Sequence, residues 1–166
     1  MKTLLLIRHA KSSWDDAAIN DIDRPLNDRG KKDAPKMAER LLDKKVKIDG
    51  FYSSPAKRAL TTCKLFVKTY DKKEKEDLVL KTELYMAVDE AFNRVVEKLN
   101  DDLDCVAVFS HNPGITDFAN SLTDARTDNI PTCGIFAVSI EAKKWSKFKE
   151  ARKKFLFFDY PKALVE

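Results

Sequence analysis

The chain has 166 residues, 43% of them hydrophobic, which suits a single globular domain over 1–166 with a full core. Its 31 basic and 27 acidic residues leave a net charge of +4, too balanced to mark a nucleic-acid binder, although a mild positive bias suits an anionic ligand. Three widely spaced cysteines, Cys63, Cys105 and Cys133, form no C-x-x-C pair and none precedes an arginine at C-x5-R spacing, which argues against a zinc site, a disulfide framework and a cysteine-dependent phosphatase loop.

Leu4-Leu5-Leu6-Ile7 predicts a strand buried on both faces, with Arg8 and His9 at its end. The run is too short for a signal peptide, and no run reaches membrane-spanning length, so a soluble cytoplasmic protein is expected. Residues 15–28 read as a loop, within which Asp21-Ile22-Asp23 is read as solvated. Asn27 is a candidate N-cap for a helix to about Lys44 with an apolar face of Ala34, Met37, Ala38, Leu41 and Leu42. Pro35 should kink or restart that helix.

Residues 48–53 predict a second strand, and Ser54 and Pro55 open the next helix, with Pro55 near its first position. Ala59, Leu60, Cys63, Phe66 and Val67 form the inner face of that helix. The charge run at 71–77 reads as a solvated loop or a frayed helix end. Residues 78–80 begin a third strand or extended segment leading into Glu83-Leu84-Tyr85. Ala91, Phe92, Val95, Val96 and Leu99 mark an amphipathic helix. Residues 105–109 repeat the opening pattern as a fourth apolar strand, ending in Ser110-His111. Asn112-Pro113-Gly114 then turns into a helix through Ile115, Phe118, Ala119 and Leu122.

Residues 135–140 and 155–158 predict two last strands. The lysine-rich link between them is read as solvated lysines and packed aromatics rather than as a nucleic-acid surface. Strands alternating with helices indicate a layered α/β domain with a mainly parallel sheet, with an antiparallel member possible among the last two strands.

The chain contains two histidines, and each directly follows a buried strand, the first and the fourth. Either alone is compatible with an ordinary strand-end side chain. Parallel strands bring their carboxyl ends to one side, so the pair, with Arg8 nearby, forms a site pattern. Arg58 lies in the first turns of the helix after strand two, where free N–H groups and the helix dipole favour an anion and a guanidinium adds a fork matched to phosphate oxygens. These residues suggest phosphoryl transfer, with His9 as nucleophile and Arg8 holding the phosphoryl charge.

The motifs resemble those of the histidine phosphatase superfamily. Arg8-His9-Ala10 looks like its R-H-G signature, and Lys11-Ser12-Ser13-Trp14 is similar to its E-S-x-W continuation. The S-P-x-x-R-A-x-x-T stretch from Ser54 to Thr62 matches its second-arginine motif, and Ser110-His111-Asn112 its second-histidine motif. Asp23-Arg24-Pro25-Leu26-Asn27-x-x-Gly30 resembles the R-P-L-T-x-x-G segment of the small SixA-type phosphohistidine phosphatases. The resemblance implies a three-layer α/β/α sandwich, phosphoglycerate mutase-like, with a mostly parallel central sheet. It implies His9 as the phosphorylated residue, with Arg8, Arg58 and His111 around the phosphoryl group and Arg24 joining them.

Three arginines can supply the positive charge that Mg²⁺ supplies elsewhere, so neither metal nor cofactor is expected. Ala10 replaces the family's glycine, and Asp15 stands where mutase-like members carry an asparagine beside the phosphate. Glu83 is the nearest candidate for a proton donor, and a solvated glutamate is the other reading of it. Chain length leaves little room for a capping insertion, and an open pocket without a strong acid suits a phosphorylated histidine presented by another protein, such as a histidine-containing phosphotransfer domain. The expectation is a monomeric phosphohistidine phosphatase without nucleic-acid or membrane partners. The alternatives are a small-phosphoester phosphatase of the same superfamily with Glu83 as acid, and a non-catalytic phospho-ligand binding module.

Overall fold

Leu4, Leu5, Leu6 and Ile7 have no polar side chain to keep wet, and all four are fully buried. In the computed structural model, which describes residues 1–163, they form the middle of strand β1 (Lys2–Arg8). The chain continues through α1 (Asp28–Asp43), β2 (Gly50–Ser53), α2 (Lys57–Thr69), α3 (Glu74–Asp77) and β3 (Leu78–Leu80). It ends through α4 (Asp89–Glu97), β4 (Cys105–Ser110), α5 (Gly114–Leu122), β5 (Ile135–Ile140) and β6 (Lys153–Asp159). Single 3-10 turns lie at Asp21–Asp23, Thr82–Leu84 and Trp145–Lys147.

The strands form one six-stranded sheet in the order β3-β2-β4-β1-β5-β6. β1, β2, β3 and β4 run parallel, while β5 is antiparallel to both of its neighbours. The period-two alternation of a strand then divides the core. Leu5, Ile7, Ala107 and Phe109 pack with Met37 and Leu41 of α1 and Phe66 of α2. Leu4, Leu6, Val106 and Val108 pack with Phe92 and Val95 of α4 and Phe118 of α5. The result is the expected three layers, with α1 and α2 on one face and α4 and α5 on the other. No helix among the described residues is long and apolar enough to cross a membrane.

Several local expectations shift. The Asn27 side chain caps α1 by accepting from Gly30 N–H at 2.9 Å. Pro35 neither ends nor restarts α1, which is continuous over Asp28–Asp43. The ring removes one backbone donor, while buried Ala34, Met37, Ala38 and Leu41 hold both halves on the sheet. Pro55 falls before α2 rather than in its first turn: Ser54 Oγ accepts from Ala56 N–H at 3.2 Å, and the helix starts at Lys57. The charge run contains one exposed helical turn, α3. In the lysine-rich link the lysines are exposed, whereas Trp145 is buried and its indole N–H donates to Leu103 O at 2.8 Å.

Candidate active site

Strand register builds the site. Arg8 on β1 pairs with Ser110 on β4, so the next residue on each strand is a histidine. The backbone N–H of His9 donates to Ser110 O at 3.2 Å, and the two imidazole centroids lie 5.2 Å apart. The helices that follow these neighbouring strands leave to opposite faces of the sheet, which opens a crevice between the strand ends.

His9 Nδ1 lies 2.8 Å from the carbonyl of Ala10. A carbonyl only accepts, so Nδ1 carries the proton and Nε2 of the neutral ring is bare. The turn itself is pinned to α2: Ala10 N–H donates to Thr62 Oγ1 at 3.0 Å, and that hydroxyl donates to Arg58 O at 2.7 Å. On the other side Cys133, in the left-handed region at φ 60, directs its N–H to the carbonyls of Arg8 and His9. His111 Nε2 hydrogen-bonds the Ser54 hydroxyl at 2.8 Å. Burial, opposed by the Ala10 hydrogen bond and aided by the charge of nearby His111, Arg58 and Arg8, pushes His9 down to about 3. Burial and then Arg58 push His111 down to about 4. Both rings are neutral at physiological pH.

Three guanidiniums face the same hollow, which has a volume of about 310 Å³. Arg8 Nη1 donates to Ile130 O at 3.0 Å. Arg24 Nη1 donates to Ser12 Oγ at 2.8 Å, and its guanidinium lies 3.5 Å over the Trp14 ring. Arg58 Nη1 and Nη2 donate to Asp21 O at 2.6 Å and Asp21 Oδ2 at 3.0 Å. The Nε atoms of Arg8 and Arg58 and Nδ1 of His111 are buried with no hydrogen-bond partner among the described residues. Lys11 also lines the hollow, giving four cations against the single carboxylate of Asp21. A neutral imidazole with a bare nitrogen beside such a cluster can attack phosphorus while the cations take up the charge of the equatorial oxygens.

The structure therefore brings together His9, Arg8, Arg58, His111 and Arg24. It does not bring Glu83 to them. Leu84 takes the buried position of the 3-10 turn, Glu83 is exposed, and its side chain is not part of the wall of the hollow. Asp15 is exposed and outside the hollow as well.

The reading of Asp21 as loop solvation is corrected. Its carboxylate accepts from Arg58 and from the Tyr85 hydroxyl at 2.6 Å and faces Arg24 Nε at 3.4 Å. The Tyr85 hydroxyl, then Arg58 and Arg24, hold it down at about 2 despite some desolvation. Its spacing of three residues from Arg24 was the one available signal for this role. No group of three or more His, Cys, Asp or Glu suited to a metal ion occurs among the described residues.

Known proteins resemble this chain in sequence and in fold. Residues 4–84 match the family model of the histidine phosphatase superfamily, branch 1. An uncharacterized chloroplastic protein of Arabidopsis thaliana is 28% identical over 153 residues, covering 88% of this chain and 70% of that protein. Among solved structures, the SixA protein of Agrobacterium tumefaciens superposes with a TM-score of 0.81 at 23% identity, over 96% of this chain and 98% of that one. The protein histidine phosphatase SixA complexed with tungstate gives 0.79 at 22%, over 96% and 97%. These structural likenesses establish the phosphoglycerate mutase-like fold.

Proposed function

The chain belongs to the histidine phosphatase superfamily, and from that premise we propose that it is a metal-independent phosphohistidine phosphatase of the SixA kind acting on a phosphorylated protein. The observation that carries the reading is His9: neutral, oriented by Ala10 O, and set among Arg8, Arg24 and Arg58.

In the first step His9 Nε2 attacks phosphorus, the substrate's N–P bond breaks, and the departing imidazole leaves neutral because its ring already carries a proton near pH 7. Arg8, Arg24 and Arg58 hold the phosphoryl oxygens through the transition state. In the second step water attacks the phosphoryl group on His9, the N–P bond there breaks, and the water's proton leaves with inorganic phosphate or on the freed ring. The charge balance favours a nitrogen leaving group over an alkoxide. An alkoxide needs an acid, and the one carboxyl lining the hollow, Asp21, is ionised, with its value held at about 2. Tungstate, an oxyanion, in the similar SixA structure is consistent with an anion at this site.

The test is acid-quench detection of labelled enzyme after mixing with a phosphohistidine peptide carrying labelled phosphate. Acid-labile label on the wild type and none on His9→Ala, with EDTA leaving turnover unchanged, is expected. Near-native turnover by His9→Ala defeats the mechanism. Faster hydrolysis of phosphoserine or sugar phosphates than of phosphohistidine defeats the substrate class.

A further inference from the structure

A second hollow adjoins the first. It has a volume of about 630 Å³ and shares Met86, His111 and Asn112 with the hollow at His9. It then runs over the first turns of α4 and α5. Gly114 fixes these two helix starts against each other, since a Cβ there would come within 1.9 Å of Ala87 O.

The chemistry of the second hollow is opposite in sign to that of the first. Asp89 opens α4 and Asp117 lies in the first turn of α5, and both line the second hollow. Neither side chain is ion-paired or hydrogen-bonded among the described residues, whereas Glu90 faces Lys149 at 3.3 Å. Burial, and then the charge of Asp117, push Asp89 up, as expected for two unpaired carboxylates in a recess that Glu90 also lines and no lysine or arginine does. Beside them Met86 and Val88 are each 67% exposed. His111, only 4% exposed, lines both hollows, and its Nδ1 has no partner among the described residues.

A ligand that fills both hollows carries an anion next to a cation and an apolar group. The second hollow is about twice the volume of the first and continuous with it at Met86, His111 and Asn112, so the polypeptide on either side of a phosphorylated side chain seated at His9 would meet it. We propose that the second hollow docks the segment of the substrate protein that flanks its phosphohistidine, taking a lysine or arginine between Asp89 and Asp117 and an apolar side chain against Met86 and Val88. This rests on the phosphohistidine reading above and narrows it to histidines in a basic and apolar context.

The experiment compares three phosphohistidine peptides that differ in one adjacent residue: lysine, alanine or glutamate. The ratio of kcat/KM for the lysine over the glutamate peptide is read within each enzyme, so that loss of folded protein cancels. In the wild type the ratio is expected near ~10 at low salt and to shrink as salt is added. It should fall to about one in Asp89→Asn/Asp117→Asn and invert in Asp89→Lys/Asp117→Lys, by the same charge argument. A wild-type ratio near one, or a ratio that survives in the double variant, overturns the proposal while phosphohistidine turnover still stands. Hydrolysis of none of the three peptides, with phosphoserine or sugar phosphates consumed, overturns both this proposal and the phosphohistidine reading.

Discussion

A carboxylate held among guanidiniums weakens the field that an incoming oxyanion meets. Asp21 does this at the hollow, where it is ionised and lies 3.0 Å from Arg58 Nη2. It also orients that arginine, so removing the charge has two opposed effects. Field should win over orientation in Asp21→Asn: the amide oxygen can still accept from Arg58 and Tyr85, and the main-chain carbonyl of residue 21 still takes Arg58 Nη1 at 2.6 Å. Inorganic phosphate should therefore inhibit this variant at a concentration lower by roughly fivefold. Weaker phosphate inhibition would mean that the carboxylate serves mainly as a bracket for Arg58. Arg8, His9, Arg58 and His111 were readable from the chain because each lies at the end of a strand or in the first turn of a helix, and Arg24 because it sits in the R-P-L segment. The Tyr85–Asp21 bond spans 64 residues, and the group that orients His9 is a backbone carbonyl, which no residue identity advertises.

Elements hold those side chains in place through a few close backbone approaches. α1 starts against the segment after β1: Asn27 N–H donates to Lys11 O at 3.0 Å, and a Cβ on Gly30 would come within 2.2 Å of that same oxygen. The next residue, Ser12, bridges to Leu26 and accepts from Arg24 through its hydroxyl. Gly30→Ala must push this strip aside, so it should cost roughly 1–3 kcal/mol in urea unfolding and also slow phosphoenzyme formation by freeing Arg24. Gly50→Ala is the contrast, because its Cβ would meet the movable end of Leu103 at 3.0 Å, and a change under about 1 kcal/mol with normal turnover is expected. Equal losses in both variants would remove the link between α1 and the arginine. Element order and type followed from hydrophobic periodicity, whereas the effect of each proline depended on packing. Pro35 is carried inside α1 by the buried residues around it, and Pro55 stays outside α2 because it lies within the turn that Ser54 Oγ closes by accepting from Ala56 N–H, ahead of the helix start at Lys57.

Across the whole molecule, the sheet order sets both the crevice and its cost. β4 lies between β1 and β2, an adjacency that the sequence order of the strands does not dictate, and it makes His9 and His111 neighbours. Placing both imidazoles beside arginines and out of water lowers them to about 3 and about 4, whereas in the unfolded chain both titrate near about 6.5. Between those values the unfolded chain binds more protons than the folded one, so stability is complete above pH 6.5 and declines as pH falls below it. Asp21 acts in a lower window, since its depressed value stabilises the fold above pH 4 and that contribution is lost only in stronger acid. With two histidines in the chain, the loss between pH 7 and 5 belongs to this pair, and it should approach roughly 2 kcal/mol per pH unit near pH 5. Urea midpoints taken at pH 7, 6 and 5 should fall accordingly in the wild type and fall much less in His9→Asn/His111→Asn. A midpoint that stays level over this range in the wild type would mean that the rings accept protons while folded, and His9 would then lose the bare nitrogen on which phosphoryl transfer depends.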